Sequence, residues 1–307
     1  MFIGHALLAF ALVGFAAHRL GWSPERALTA GVAAALFATL PDVDMLYAPV
    51  GLLEATTLSG APTAFFETGN LVHRALTHSL LVGVVAASAF ACWHVGGRRS
   101  RALAVATLLG FVTVAFVVSG PLGAFIAAAF GAVGLALTAG IARRTALSPR
   151  AVWTVAAVGM VSHPFGDLFT GAPPAFLYPL EVPVVAERVV LHADPTVGLL
   201  AAFWVELGVV WLAALVYLDL RGLRLRDGVD WRATLGVAYA GAVLAIPAPS
   251  IDAAGPFVVS VLAVGFVGTM PRLRARPTVP DRTTAALTGL TAVTLASAAY
   301  LGAYLLV

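Results

Sequence analysis

Histidines and aspartates are few in this chain, and most of them fall into short clusters. The chain has seven histidines among 307 residues. In chain order the clusters are His5, then Asp42 and Asp44, then His73 and His78, then His163 and Asp167. Imidazole and carboxylate groups are the side chains that hold a hydrolytic metal ion in proteins. If these segments meet in space, they form a metal site.

The composition predicts a membrane protein that crosses the bilayer many times. Hydrophobic residues make up 60% of the chain, charged residues make up 11%, and the mean hydropathy is +0.95. These values exclude a soluble globular protein. The expected fold class is all-α, a polytopic transmembrane helical bundle. The single cysteine, Cys92, excludes an internal disulfide and a cysteine-based zinc site.

Apolar runs between charged or Pro/Gly-rich breaks give about ten candidate spans, each near the ~20 residues that a spanning helix needs. They cover roughly residues 3–20, 27–46, 78–96, 102–118, 121–141, 151–170, 197–219, 233–249, 254–271 and 284–306. The sequence around Gly120 fits either a tight hairpin or a kink.

The clusters divide the chain into two parts. Residues 1–196, with about six spans and the two long loops 47–77 and 171–196, contain all of them. Residues 197–307, with about four spans, contain none. The expected organisation is therefore a motif-bearing core followed by an accessory half.

The arginines predict the orientation in the membrane. The chain has no lysine, and sixteen of its eighteen arginines fall in the odd-numbered loops between the expected spans, leaving Arg74 and Arg188 on the other side. The positive-inside rule then makes the odd loops cytoplasmic and both termini external. All the clusters lie on the external side of a cell membrane in this arrangement. The basic pI reflects this topology and not nucleic-acid binding, so the lipid bilayer is the expected partner.

His163 and Asp167 stand four residues apart, a spacing that places both on one face of a helix. They could clasp one metal ion, or the carboxylate could orient the histidine. The alternative is a hydrogen-bonded pair at a helix end. Pro164 and Gly166 between them make a regular helix doubtful.

Asp42 and Asp44 are two residues apart and cannot both face one metal on a regular helix. Pro41 disfavours helical geometry at Leu40, so a break is expected there. One aspartate could then bind metal while the other bridges or holds a histidine. The alternative is two solvated acids at the end of a span.

The segment His73 to Ser79 is the most specific of the clusters. Its two histidines could both be ligands, and Arg74 between them suits capture of a phosphate or carboxylate. Thr77 or Ser79 could instead cap the following helix. The alternative for the whole segment is interfacial histidines with one snorkelling arginine. His5 alone would also be read as interfacial.

Taken together, these motifs resemble a known family. Leu-Pro-Asp-Val-Asp at 40–44, His-Arg-x-x-Thr-His-Ser at 73–79 and His-Pro-x-x-Asp-x-x-Thr-Gly at 163–171, with Pro179 and His5, are similar to the LexA-regulated inner-membrane metal-dependent hydrolases. The resemblance covers roughly residues 1–180. It implies an integral membrane hydrolase whose metal centre is built from these histidines and aspartates, without naming a substrate.

Three hypotheses remain open. In the first, a membrane hydrolase holds one or two divalent metal ions, with zinc the first choice, on His5, His73, His78, His163 and Asp167. Asp42 or Asp44 completes or bridges the set, the other is the general base, and Arg74 holds an anionic or amphiphilic substrate such as a lipid phosphoester. The second is a transporter using Glu206, the lone acid at mid-depth. The third is a non-catalytic assembly protein stabilised by metal.

Overall fold

The computed structural model describes residues 2–55, 57, 60–169, 171–271 and 278–307. The motif residue Thr170 and the loop arginines Arg272, Arg274 and Arg276 lie outside the described residues. Over the described residues the chain forms nine α-helical segments. They are α1 (Phe2–Arg19), α2 (Pro24–Ala38), α3 (Ala61–Gly69), α4 (Leu80–Val95), α5 (Arg98–Arg144), α6 (Pro149–Asp167), α7 (Pro195–Arg221), α8 (Gly255–Ala263) and α9 (Arg282–Tyr304).

The chain divides into two compact units, Met1–Arg188 and Val189–Val307. Four helical segments are long and apolar enough to cross a bilayer, namely Pro24–Leu53, Arg98–Arg144, Pro195–Arg221 and Arg282–Tyr304. Shorter apolar helices cover Ile3–Arg19, Leu80–Val95 and Gly255–Thr269. These helices confirm the expected fold class, an all-helical membrane protein.

Side-chain caps begin several of these helices. Ser23 and Ser148 accept hydrogen bonds from the backbone N–H groups of Arg26 and Ala151, and a proline follows each serine. Asp194 caps α7 in the same way. A cap satisfies N–H groups that the helix leaves without partners, and proline is tolerated at the first helical position. These short sequences therefore set where the helices start.

Helix α5 is a hairpin of two helices. Gly120 has φ 68° and ψ −163°, values outside the helical region, and proline follows it. A Cβ built on Gly131 would lie 3.6 Å from the Cβ of Leu108, so positions on opposite sides of Gly120 meet. Residues 98–119 and 121–144 therefore run antiparallel. The open question of hairpin or kink is answered in favour of the hairpin.

The core of the unit Met1–Arg188 is aromatic and small-residue packing between its helices. Phe90 stacks on Phe37 with ring centroids 5.7 Å apart, and Phe130 lies 6.2 Å from Phe90. Gly159 of α6 packs directly on the backbone of α2, where Ala34 is fully buried. Close packing of this kind holds α2, α4, α5 and α6 together.

The unit Val189–Val307 packs around Tyr300, a fully buried side chain of α9. The ring of Phe257 lies 5.1 Å from it and that of Tyr239 lies 6.0 Å from it. The stretches expected as spans 233–249 and 254–271 are less regular than predicted. Trp231–Leu244 is a 3₁₀ helix, and α8 passes into 3₁₀ turns at Val264–Thr269. Glycines and prolines in these stretches account for the irregularity.

Candidate metal centre

All seven histidines and aspartates of the sequence clusters lie together at one end of the unit Met1–Arg188. His5 comes from the first turns of α1, and His163 and Asp167 come from the end of α6. The two aspartates lie on the 3₁₀ turn Pro41–Met45 that follows α2. The remaining two histidines lie in the connection before α4. Five of the seven are buried, and only His73 and Asp42 are partly exposed.

Helix α6 continues through Pro164 to Asp167, so the doubt about a regular helix there was wrong. His163 and Asp167 share one face. The Nδ1 of His163 lies 2.6 Å from the carbonyl oxygen of Ala38. A carbonyl only accepts hydrogen bonds, so Nδ1 carries a proton, and in the neutral ring Nε2 presents a lone pair. That lone pair points at the cluster, since Nε2 lies 3.1 Å from the Nε2 of His78.

His78 is held in the same tautomer by a hydrogen bond to a side chain instead of to the backbone. Its Nδ1 lies 2.9 Å from the hydroxyl of Thr77, which donates its own proton to Asp44 Oδ2 at 2.7 Å. The hydroxyl oxygen is therefore the acceptor for His78 Nδ1–H. The Nε2 of His78 then faces His163, and it lies 3.1 Å from Asp167 Oδ2. Thr77 is thus part of the cluster, while Ser79 accepts from Val82 N and caps α4.

Asp44 is fully buried and organises its surroundings. Its Oδ1 accepts from His73 Nδ1 at 2.8 Å, and its Oδ2 accepts from the backbone N–H of Arg74 at 3.1 Å as well as from Thr77. The chain breaks from α2 into a 3₁₀ turn at Pro41, as expected, although Leu40 itself keeps helical dihedral angles. This turn lets the two aspartates face different partners. Asp42 Oδ1 lies 3.5 Å from His163 Nε2.

Asp167 connects three groups. Its Oδ1 lies 3.3 Å from His5 Nε2 and 3.1 Å from Arg74 Nη2. Its buried Oδ2 has no well-aligned hydrogen-bond donor. The His5 ring stacks on the His163 ring with centroids 3.8 Å apart. Asp167 Oδ2 lies 3.1 Å from the Nε2 of His78 and 3.6 Å from the Nε2 of His163. These three atoms therefore face one another, and no aligned hydrogen-bond donor satisfies the Asp167 oxygen.

Arg74 sits in a strained conformation at the edge of the cluster. Its φ is 63°, a region that side chains other than glycine rarely adopt, and the backbone hydrogen bonds to Asp44 and from Ala175 to Arg74 hold it there. The guanidinium donates to Asp167, to the carbonyl of Ala172 at 2.7 Å and to His73 Nε2 at 3.2 Å. It clamps the loop after α6 onto the cluster. Capture of a substrate anion by Arg74 stays a prediction.

The nitrogen and oxygen atoms of the cluster are suitable ligands for a metal ion. Three overlapping groups each offer ligand atoms within 4.8 Å of one another, namely His5/His163/Asp167, Asp42/His78/His163 and Asp44/His73/His78. His163 and His78 each belong to two groups. Facing lone pairs on imidazoles with fixed tautomers, beside a carboxylate oxygen lacking an aligned donor, are the arrangement that a cation stabilises. The residues present therefore fit a divalent metal.

His78 Nε2 and Asp167 Oδ2 lie 3.1 Å apart, close enough to share a proton when no metal is bound. Metal binding at these two atoms would displace that proton.

Sequence reasoning missed two supports of the site. The Tyr47 hydroxyl donates to Gly69 O at 2.7 Å and accepts from Val72 N at 3.0 Å, which fixes the chain just before His73. The second support is the Ala38 carbonyl, a backbone group with no sequence signal.

Other polar residues have other roles. His94 Nε2 lies 2.9 Å from the Leu147 carbonyl, away from the cluster. Asp194 caps α7, and its backbone N–H donates to His192 Nδ1. Glu206 lies within α7, where it is partly buried. Neither a metal-ligand nor a transport role follows from these contacts.

The fold and this cluster define a helical membrane protein with a buried His/Asp group able to hold a metal ion. The chain belongs to the YdjM inner membrane protein family, whose sequence profile matches residues 1–246. This match confirms the family resemblance and an inner-membrane location. No curated protein and no solved structure matches the chain.

Proposed function

We propose that this protein is an integral membrane hydrolase that depends on a divalent metal. The observation that carries the proposal is the convergence of seven histidines and aspartates, distant in sequence, into three overlapping groups of ligand atoms. Burying this many polar side chains in an apolar protein is costly, and such residues mark functional sites. Zinc is the first choice for imidazole and carboxylate ligands, with one or two ions.

The proposed ligands are His5, His78, His163 and Asp167, with His73 at the edge. A bound metal would supply Lewis acidity for the hydrolysis of an ester bond. Asp42 and Asp44 would have different roles, one in catalysis and one in orienting the ligands. Asp44, saturated by donors from the protein, would orient His73 and His78.

Asp42 is the better candidate for the general base. Its side chain is 22% exposed, compared with 0% for Asp44, so a water molecule can reach it. A carboxylate beside the metal ligands can take up the proton that hydrolysis releases. Arg74, placed beside Asp167, would contact an anionic group of the substrate only if some of its present hydrogen bonds were exchanged.

We further propose about ten spans, both termini outside and the metal centre at the external face. The arginine distribution supports this orientation. The substrate would be lipid-like or another amphiphilic phosphoester. Exposed apolar side chains near the cluster, Leu46, Leu71 and Phe165, support a site that an amphiphile reaches from the bilayer surface.

A second candidate is a non-catalytic protein whose helix ends are locked by metal. The observation that favours it is the closure of the cluster, since His5, Asp44, His78, His163 and Asp167 are all nearly inaccessible to solvent. A structural metal site is normally closed, whereas a catalytic site keeps one position open.

The test begins with metal analysis of the purified protein in detergent. The wild type should hold metal in stoichiometric amounts, and His78→Ala and His163→Ala should lose it. His94→Ala, a histidine change outside the cluster, is the matched control and should keep it. Equal, substoichiometric metal in all four proteins would reject both candidates.

A screen of lipid and phosphoester substrates separates the two candidates. The hydrolase predicts turnover by the metal-loaded wild type and its loss in Asp42→Asn, with metal content measured on the same samples. Full metal occupancy with no turnover on any phosphoester, and no metal release to a chelator, would favour the structural role.

A further inference from the structure

A groove of about 540 Å³ opens on the unit Met1–Arg188, between α2 and the second half of α5. This volume lies within the range of sites for small molecules. Nearly all of its lining is aliphatic. The α2 wall is Leu28, Val32 and Leu36, and the α5 wall is Val133, Leu137 and Ile141.

The groove is as long as one leaflet is thick. Its lining runs from position 28 to 36 on α2 and from 133 to 145 on α5. At 1.5 Å per residue these stretches cover roughly 12 to 18 Å. Half of a ~30 Å hydrocarbon core is about 15 Å. A partner helix that crosses the bilayer would need a groove about twice as long, so the length favours a single acyl chain.

One end of the groove is polar. Thr29, Arg144 and Thr145 line it, and Arg144 is exposed. A Cβ built on Gly140 would lie 3.6 Å from Arg144 Nη1, so the guanidinium folds back over the groove and not away from it. Within the described part of the chain Arg144 forms no ion pair. Its charge is therefore available to an anion at the mouth of the groove.

We propose that this groove binds an anionic phospholipid, with one acyl chain along the aliphatic walls and the phosphate on Arg144. Arginine forms strong, charge-assisted hydrogen bonds to phosphate, and its aliphatic stem can lie along apolar surface while the charge stays at the interface. Basic pockets between spans bind anionic lipid headgroups in this way. The polar end of the groove lies where α5 ends, and no residue of the metal cluster lines the groove, so the lipid site is distinct from the metal centre.

The experiment measures retained lipid by native mass spectrometry. Full-length protein is placed in nanodiscs of equal parts phosphatidylglycerol and phosphatidylcholine and then released into the gas phase. The wild type should retain one phosphatidylglycerol in preference to phosphatidylcholine. Arg144→Gln should weaken this retention roughly ten-fold, because the phosphate loses charge-assisted hydrogen bonds.

Matched variants test the groove itself. Gly140→Phe fills it, and Gly110→Phe adds the same ring at a position in α5 where nothing lies within 4 Å. Gly140→Phe should lose the lipid, while Gly110→Phe and Arg143→Gln, whose arginine does not line the groove, should keep it. Thermal unfolding and metal content of every variant report on folding.

Three results would overturn the proposal. The first is equal retention of both lipids by the wild type, which would indicate ordinary annular lipid. The second is retention by Gly140→Phe and Arg144→Gln at the level of their controls. The third is efficient cross-linking between copies carrying Val133→Cys, because a second chain would then cover the groove.

Discussion

Replacing Gly159 by alanine should damage both the packing of α6 and the metal centre. A Cβ at this position would lie 2.6 Å from the carbonyl oxygen of Ala34 and 2.9 Å from the backbone nitrogen of Ala38. Both contacts are with backbone, which cannot move aside as a flexible side chain can. Since 3.4 Å is where ordinary contact begins, α2 and α6 must separate by up to about 0.8 Å.

The separation acts on the site because His163 follows Gly159 by one helical turn. His163 Nδ1 lies 2.6 Å from the Ala38 carbonyl, and a shift of that size would stretch this bond beyond 3.2 Å. Loss of such a support of a metal ligand costs about 10- to 100-fold in metal affinity. Overpacking costs about 1–3 kcal/mol in stability.

Gly83→Ala is the matched control. It is also a helical glycine in this unit, but its added Cβ would meet Met160 at 3.5 Å, an ordinary contact. Both changes gain up to about 1 kcal/mol in helix propensity, so the difference between the variants isolates the clash. Thermal unfolding and metal titration in detergent measure the two effects. Equal stability and equal metal affinity in the two variants would refute the reasoning.

Three further changes test the site and the second unit. Chelating the metal should lower the unfolding temperature of the wild type but not that of His163→Ala, and equal shifts would contradict a metal at this position. Thr77→Val should weaken metal binding roughly 10- to 100-fold in a titration, because its hydroxyl joins the Asp44 carboxylate to a histidine. Asp281→Ala should destabilise the protein at neutral pH, since the Thr284 hydroxyl and neighbouring backbone N–H groups lower the pKa of this helix cap. That stabilisation is present above the unfolded pKa of about 3.9 and is lost as pH falls through the folded pKa, so melting curves of the two proteins should converge in acid.

The sequence was sufficient to predict the class of fold and the members of the cluster. Long apolar runs require helices in a membrane, and polar residues are rare enough in such runs to stand out. The sequence around Gly120 could not decide between a hairpin and a kink, because a glycine followed by proline permits both a reversal of the chain and a bend in one helix. The contact between Leu108 and Gly131 decides it.

The supports of the cluster were much harder to predict. Pro164 argued against a helix in local terms, yet α6 continues through it because packing against α2 outweighs the loss of one hydrogen bond. The sequence predicts a substrate contact for Arg74 from its charge and from its place between two candidate histidine ligands. Its hydrogen bonds to Asp167 and Ala172 depend on where the loop after α6 returns, which no local pattern encodes.

The two aspartates show how three-dimensional contacts divide roles that sequence leaves equal. Asp42 and Asp44 have the same chemistry and stand two residues apart, so either could be ligand or base. The 3₁₀ turn sends Asp44 into the protein, where three donors fix both of its oxygens. Asp42 remains partly exposed beside His163. A carboxylate saturated by fixed donors can orient neighbours but has little capacity to take up a proton, so the base is expected at Asp42.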